Sequence, residues 1–338
     1  DRRLVEIRLR RRHRHRHLRR VGPGGRAVQA LRLHAGKRRG DCAQGAAQEV
    51  KVESQVIPEM PPSSQAASAI QAVVKTMMDR VMQRVLVTDP FVKELHHSHK
   101  PLYAALVPDE IFKGSHFERR FVTPFGGVWE KLAQVAARQA HGSCELGHAI
   151  SGNVGQERLR RIQEVLNRLE HNAPDGLKTA PDWAAEIAYI LAGDGPPIPV
   201  TVVCDVYIGN VTTGKRYAFE LKSPLPNSDQ TKVSKEKIFK LLAMSPVQVD
   251  GAFYALPYNP YGSKKTAYQW AFPMRWFDMR NDPCVMIGDE FWDFIGGAGT
   301  YAQFIHEVNL LGKTYHARIY REYLGIEPPS ATDDYLLK

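Results

Sequence analysis

Residues 200–244 read VTVVCDVYIGNVTTGKRYAFELKSPLPNSDQTKVSKEKIFKLLAM. An almost unbroken apolar segment contains Asp205, a turn follows at 210–214, and a second apolar segment contains Glu220 and Lys222. Because side chains alternate between the two faces of a strand, Glu220 and Lys222 point to one face and the residue between them to the other. The stretch therefore predicts a β-hairpin whose end carries two carboxylates and one ammonium, followed by a basic helix.

The segments around this hairpin predict an α/β fold with a mixed central sheet flanked by helices. The first strand of the hairpin is nearly continuous in apolar residues, which is typical of a strand buried on both faces. The glycine-rich segment 142–155 is expected to be a loop, and Thr123 with Pro124 is expected to begin a helix. Periodicity predicts helices at 66–87, 125–140, 155–171, 181–192, 230–244, 290–295, 300–311 and 313–324, and strands at 201–208, 217–222, 251–256, 268–272 and 284–287.

The formal charge of +10 is confined to the first 59 residues. They hold 16 Lys and Arg against 6 Asp and Glu, whereas the other 279 residues hold 30 of each sign. The run RRRHRHRHLRR at 10–20 is of low complexity, and the first methionine of the chain is Met60. We interpret 1–59 as a disordered basic segment that is translated upstream sequence. A basic arm that grips DNA and a transit peptide are the alternatives.

From Met60 onward the sequence is that of a globular protein. We expect one domain at 60–325, with a helical part at 60–195 and a core at 196–325, and a C-terminal tail at 326–338. No run of about 18 apolar residues occurs, so no transmembrane helix is expected. The four cysteines are scattered without a CxxC pair, which argues against a zinc site or a disulfide framework and indicates a reducing cytoplasm.

Three histidines lie close together in the segment HHSHK at 96–100. They are potential metal ligands, but no carboxylate or cysteine has a matching spacing. We therefore expect this segment to be a solvated loop or a contact with the DNA backbone.

The hairpin residues fit the chemistry of phosphodiester hydrolysis, which requires charge neutralisation, an activated water and a supported leaving group. Mg²⁺ supplies much of the first two and is usually held by one or two carboxylates with water and phosphate. Asp205 and Glu220 can supply the carboxylates, and the backbone carbonyl of Leu221 a further ligand. Lys222 can orient or deprotonate the attacking water, although a lowered pKa would require burial or cationic neighbours. The spacing alone leaves open a second interpretation, namely structural salt bridges at the end of a sheet.

Asp205, followed after a turn by Glu220-Leu221-Lys222, resembles the PD-(D/E)xK nuclease motif, with Cys204 in place of its proline. Longer stretches resemble type II restriction endonucleases of the TdeIII-like family, and the resemblance spans about 60–325. The stretches that carry it are FERRFVTPFGGVWEKLA at 117–133, CDVYIG at 204–209, FELKSPLPNSDQTKVSKEKIFKLLAM at 219–244 and IGDEFWDFIGGAGTYAQFI at 287–305.

This resemblance implies a restriction-endonuclease-like core and Mg²⁺-dependent cleavage of double-stranded DNA. It also implies a homodimer that acts on a short palindromic site, of the GGNCC type, and a companion DNA methyltransferase. Many such nucleases place a glutamate from an N-terminal helix next to the metal. Glu130 is the candidate for that position in this sequence, and Glu118 is the alternative.

Polar and basic residues follow Lys222 directly. Asn and Gln side chains contact adenine edges or phosphates, and Lys contacts guanine or phosphates. We predict DNA contacts from Asn227, Gln230, Lys232 and Lys235, with a solvated helix face as the alternative for the lysines farther along. The loop that contains Tyr258, Asn259, Lys264 and Lys265 is a second candidate for contact with a groove.

Two other functions stay open at this stage. One is a metal-dependent nuclease of the same core that acts in repair or recombination. It would trim ends or produce ladders, whereas a restriction enzyme produces discrete fragments. The other is a non-catalytic DNA-binding module, against which the joint presence of Asp205, Glu220 and Lys222 argues.

Overall fold

The computed structural model describes residues 64–171, 176 and 178–329. Contacts divide the chain into two units, Asp1–Val52 and Glu53–Lys338, and everything described below lies in the second unit. The expectations for 1–59 and for the last nine residues fall outside the described residues.

Nine α-helices and five strands form the described part of the chain. The helices are α1 (Ser64–Gln83), α2 (Lys93–His99), α3 (Pro101–Leu106), α4 (Asp109–His141), α5 (Gln156–Glu170), α6 (Trp183–Leu191), α7 (Ser228–Ala243), α8 (Asp289–Gly296) and α9 (Thr300–Arg318). The strands are β1 (Gly142–Gly155), β2 (Pro197–Asn210), β3 (Arg216–Leu221), β4 (Gly251–Leu256) and β5 (Val285–Ile287). Short π-helical turns follow α1 at Arg84–Thr88 and α9 at Ile319–Leu324.

The five strands form one mixed sheet in the order β1-β2-β3-β4-β5. The pairs β1–β2 and β2–β3 are antiparallel, whereas β3–β4 and β4–β5 are parallel. Helix α7 is the crossover between the parallel strands β3 and β4, as a parallel pair requires. The predicted α/β fold, a mixed sheet flanked by helices, is confirmed.

Two apolar cores enclose the sheet. Helices α1, α4, α8 and α9 pack with Phe219 and Phe253 in one core. Helices α5, α6 and α7 pack with Ala218 and Tyr254 in the other core. Because Ala218 and Phe219 are neighbours on β3, this division follows the alternation of side chains along the strand. The end of β3 is thereby fixed between the two helical layers.

Strand β1 corrects the expectation of a loop at 142–155. Its register with β2 is continuous from Gly142 opposite Asn210 to Gly155 opposite Pro197. The glycines suggested a loop, but β2 pairs with the segment on both sides of Gly147. Strand β2 is itself buried on alternate positions and leaves Val203 exposed, so the expectation of burial on both faces was wrong.

Several helix boundaries also differ from those expected. Helix α4 runs through Thr123 and Pro124, which were expected to begin a helix. Segment 300–324 is continuously helical, with the last turn widened, where two helices were expected. The histidine segment belongs to α2 and is not a loop. Residues 268–272 are irregular and form no strand.

Candidate active site

Strands β2 and β3 bring Asp205, Glu220 and Lys222 together at one end of the sheet. The Nζ atom of Lys222 lies 2.5 Å from Asp205 Oδ2 and 3.2 Å from Glu220 Oε2. The backbone N–H of Leu221 also donates to Asp205 Oδ2, at 2.9 Å. The ammonium thus lies between the two carboxylates, as the sequence predicted.

Glu220 is a buried carboxylate, with 1% of its surface exposed. Its Oε2 atom accepts from Lys222 and from the Ser234 hydroxyl at 3.3 Å, and its Oε1 atom accepts from Lys237 at 2.9 Å. Ser234 and Lys237 both belong to α7, which packs across this part of the sheet. Because a buried charge is costly unless it is paired and hydrogen-bonded, these donors stabilise the ionised form of Glu220.

Lys237 was not predicted to belong to the site. The sequence placed it among the lysines after Lys222 that would contact DNA or, alternatively, form a solvated helix face, but its Nζ also donates to the Val203 carbonyl of β2 at 2.8 Å. The signal for this position was available in the spacing, because Lys237 lies three residues after Ser234 and therefore on the same side of α7. The sequence does not show that this side of α7 contacts Glu220, because the contact depends on how α7 crosses β2 and β3 in the folded protein.

The electrostatics of the site follow from burial and from the close charges. Burial raises the pKa of Glu220 above its usual value, although Lys222 and Lys237 oppose the shift. Burial lowers the pKa of Lys222, but Glu220 and Asp205 outweigh it, so that the pKa lies above its usual value. Lys222 is therefore an ammonium in this arrangement, and the condition for a deprotonated lysine is not met.

Glu130 and Glu118 both lie on α4, but only Glu130 interacts with the carboxylate pair. Burial raises the pKa of Glu130, and the charges of Asp205 and Glu220 raise it further while Lys222 lowers it. Glu118 is exposed, and no such interaction connects it to the site. Of the two candidates, the structure thus brings Glu130 within electrostatic reach of the pair.

The predicted DNA contacts lie at the start of α7. Asn227 is the N-cap of this helix, and its side chain accepts from the backbone N–H of Gln230 at 2.8 Å. Both side chains are exposed. Lys232 forms an ion pair with Glu170 of α5 at 2.5 Å. Asn227 and Gln230 are therefore accessible, whereas Lys232 would have to exchange Glu170 for a phosphate.

Lys235 corrects the expectation of a DNA contact. Its side chain is 0% exposed and pairs with Glu186 of α6 at 2.6 Å. It also donates to the Trp276 carbonyl, and three aromatic rings surround it. The side chain of Lys235 extends from α7 towards α6 and is buried there, so that no phosphate can reach it.

The donor set fits a Mg²⁺ ion held by few protein ligands. Within residues 64–171, 176 and 178–329, His, Cys, Asp and Glu side chains nowhere gather into a group of three that could hold a metal. A pair such as Asp205 and Glu220 is nevertheless the number of carboxylates that Mg²⁺ usually takes, because water and phosphate complete its coordination. Lys222 lies between the two, so a positive charge is already stabilised there. In the histidine segment, His97 pairs with Asp109 at 2.7 Å and forms no such group.

Comparisons with known proteins identify relatives over most of the chain. Residues 66–312 match the family described as type II restriction endonuclease, HinfI. Three type II restriction enzymes of Herpetosiphon aurantiacus are similar in sequence. HgiCII is 26% identical over 67% of this chain and 82% of its own length, HgiEI is 27% identical over 72% and 90%, and HgiBI is 28% identical over 62% and 77%. No helix among the described residues is both long and apolar enough to span a membrane.

Proposed function

The chain belongs to the HinfI family of type II restriction endonucleases, DNA-cleaving hydrolases that cut at specific sites in defence against foreign DNA, and we propose that Asp205, Glu220 and Lys222 form its Mg²⁺-dependent cleavage centre. The class of enzyme that the sequence motifs resembled is thereby confirmed. Membership in this family sets aside the repair nuclease and the non-catalytic binding module. Type II restriction endonucleases generally use divalent metal ions.

The observation that carries the proposal is the position of Lys222 Nζ between Asp205 Oδ2 and Glu220 Oε2. Asp205 and Glu220 would hold the metal together with the Leu221 carbonyl. When bound, Mg²⁺ supplies neutralisation of phosphate charge and a more acidic water. Glu130 of α4 interacts electrostatically with Asp205 and Glu220, and it would bind a water molecule of this centre.

The protonation state of Lys222 assigns its role. Because the two carboxylates hold its pKa above the usual value, Lys222 reaches the substrate as an ammonium. An ammonium donates hydrogen bonds to a phosphate oxygen and stabilises the charge that develops there. As an ammonium, Lys222 would position the scissile phosphate and the attacking water.

The DNA contacts that support this proposal lie beside the site. Asn227 and Gln230 are exposed at the N-terminus of α7, the helix that also supplies Ser234 and Lys237 to Glu220. We assign these two amides to base edges or phosphates next to the scissile bond. Lys232 would contact a phosphate only after its ion pair with Glu170 is broken, so its contribution depends on the binding of DNA.

The same reasoning extends to the assembly. One centre of this kind cuts one strand, so two protomers that act on a palindromic site would cut both strands symmetrically. We propose a homodimer with one nuclease domain at 60–325 in each protomer, and a companion DNA methyltransferase that protects the host sites. Sedimentation of the protein with and without cognate DNA measures the stoichiometry, and one protomer per cleaved site would contradict the dimer.

The direct test is cleavage of unmethylated phage DNA by the full chain with Mg²⁺ or with EDTA. Asp205→Asn, Glu220→Gln and Lys222→Met should each lower kcat by at least about a hundredfold, and Glu130→Gln by about tenfold, because each removes one charge from the transition-state environment. Glu118→Gln is the matched control on α4 and should cut like the parent. Discrete fragments would then define the recognition site.

Two results would contradict the proposal. Undiminished cleavage by Glu220→Gln and Lys222→Met would mean that the catalytic centre lies elsewhere. Equal cleavage in Mg²⁺ and in EDTA would mean that the reaction requires no divalent cation.

A further inference from the structure

The two oxygen atoms of Glu220 face different surroundings. Oε2 faces the space shared with Asp205, where Lys222 lies 3.2 Å away. Oε1 faces α7 and accepts a hydrogen bond from Lys237 at 2.9 Å. A cation that replaces Lys222 between the two carboxylates therefore meets Oε2, whose other partner is the neutral Ser234 hydroxyl at 3.3 Å, while Oε1 is paired with the Lys237 ammonium.

Lys237 is fixed independently of Glu220. Its Nζ donates to the Val203 carbonyl at 2.8 Å, and Val203 belongs to a paired segment of β2 opposite Ala149 of β1. The ammonium thus links α7, β2 and β3 on the side of Glu220 away from Lys222. Oε1 stays occupied for as long as these three elements stay packed.

We propose that Lys237 determines metal selectivity, because it restricts Glu220 to a single metal-binding oxygen; this inference rests on the proposed metal site. Ca²⁺ takes about six to eight oxygen ligands, often with both oxygens of a carboxylate, in a flexible geometry. Mg²⁺ requires about six ligands in an octahedron and usually takes few carboxylate oxygens. A Glu220 that offers only Oε2 therefore favours Mg²⁺ and excludes the bidentate mode that Ca²⁺ accepts.

A simple effect of charge predicts a different result. Removal of the Lys237 ammonium takes one positive charge away from the site and strengthens the binding of any divalent cation by Coulomb attraction. That effect is the same for Mg²⁺ and Ca²⁺, because both ions carry two charges. The ratio of the two dissociation constants cancels it and reports only the availability of Oε1.

The test is calorimetric titration of the full chain, without DNA, with Mg²⁺ and separately with Ca²⁺. Lys237→Met should lower the ratio of the Ca²⁺ dissociation constant to that of Mg²⁺ by about tenfold, since a second carboxylate oxygen becomes available to Ca²⁺ alone. Lys237→Arg keeps a charged donor over Oε1 and should retain the ratio of the parent. Lys240→Met is the matched control, because Lys240 has the same 29% side-chain exposure but pairs with Glu236 of α7 instead of with Glu220.

The outcomes separate this inference from the proposed function. Equal strengthening of both cations in Lys237→Met, or an unchanged ratio, would overturn the role in selectivity while leaving the metal site in place. A parent protein that binds neither cation would overturn both. Lys237→Leu, uncharged and without a hydrogen-bond donor, replaces the methionine variant if circular dichroism shows that the latter is unfolded. It carries the same expected direction.

Discussion

Lys235 and Lys237 stand two residues apart on α7 and have opposite environments. Lys235 is enclosed with Glu186, the Trp276 carbonyl and the rings of Trp183, Phe239 and Phe277. Burial lowers the pKa of Lys235 and raises that of Glu186, so each ion depends on the other for its charge. A buried ion pair of this kind is sensitive to the loss of either partner.

The first residue-scale prediction concerns this pair. Lys235→Met should lower the free energy of unfolding by about 3 to 5 kcal/mol, because Glu186 is left buried without a counter-charge. The double variant Lys235→Met/Glu186→Leu should recover most of the loss, since an apolar pair of similar volume costs no desolvation of charge. Urea unfolding followed by circular dichroism measures both.

DNA affinity supplies the control for that prediction. Because Lys235 is inaccessible, the folded fraction of Lys235→Met should bind DNA in the absence of metal as the parent does. A tenfold or greater loss of affinity with unchanged stability would restore Lys235 as a DNA contact and contradict the burial argument.

At this scale the alternation along a strand made the convergence of Glu220 and Lys222 predictable, whereas the contacts that depend on helix packing were not. Glu220 and Lys222 are separated by two positions, so their convergence follows from local geometry. Ser234 and Lys237 reach Glu220 only because α7 crosses β2 and β3 at one place and angle. Lys235 instead faces Glu186 of α6 and the Trp276 carbonyl, and periodicity alone does not distinguish which lysine of α7 is buried.

Among the secondary-structure elements, β1 shows that pairing with a neighbouring strand can outweigh a local composition that favours a loop. Gly147 has φ of +60°, a left-handed conformation that favours glycine, yet Leu146 and His148 on either side stay in register with Val206 and Cys204. The position opposite Gly147 in this register is Asp205. The glycines that indicated a loop are therefore compatible with a strand, because β2 fixes the register over 14 residues.

Gly147→Ala tests this interpretation. A Cβ atom at Gly147 would meet nothing within 4 Å, so the substitution introduces only backbone strain and no clash. We expect a loss of about 1 to 2 kcal/mol in the free energy of unfolding, the cost of a left-handed conformation for a residue with a side chain. Gly147→Asn should cost less, because asparagine tolerates this conformation better. Thermal and urea unfolding measure the differences.

The control is Gly114→Ala in α4. Gly114 also has no atom within 4 Å of an added Cβ, but its backbone is helical. Alanine there should increase stability by about 0.5 to 1 kcal/mol through helix propensity. Equal effects at the two glycines would mean that the conformation of Gly147 is relaxed in solution and that its strand position is wrong.

The boundaries of the helices also depend on packing as well as on local sequence. The apolar stripe of α5 and the residues before α7 predicted both helices closely, because each helix begins at a residue that the sequence marks, Gly155 or Asn227. Thr123 and Pro124 gave the same kind of signal but lie inside α4. The Thr123 hydroxyl donates to the Arg119 carbonyl at 2.7 Å, one turn earlier. The ring contacts of Phe121 with Phe117 and Phe125 continue through this part of α4, so the helix does not begin at Thr123.

At the scale of the whole molecule, the net charge is distributed unevenly along the chain. The residues that form the candidate centre come from the part of the sequence with 30 charges of each sign, whereas the excess of +10 belongs to 1–59. Non-specific DNA affinity depends on the number of phosphates that basic groups neutralise, and it falls steeply with salt. Sequence recognition depends on groups that reach base edges.

Deletion of 1–59 should therefore change affinity and leave recognition unchanged. We expect weaker binding to non-cognate DNA at low salt, and a slope of log affinity against log salt that is smaller by about one for each phosphate that the segment neutralises. The fragment pattern on phage DNA should stay the same, because Asp205, Glu220, Lys222 and the exposed amides of α7 all remain. Filter binding over a series of salt concentrations, with digestion of the same DNA, measures both.

A second variant isolates the role of charge in this prediction. Replacement of the seven arginines within 10–20 by glutamine in the full chain keeps the length of the segment and removes most of its excess charge. If charge is the cause, this variant reproduces the smaller salt slope of the deletion and cuts the same sites. A changed fragment pattern in either variant would mean that 1–59 contributes to recognition. An unchanged salt slope in both would mean that the segment does not contact DNA and would contradict the prediction.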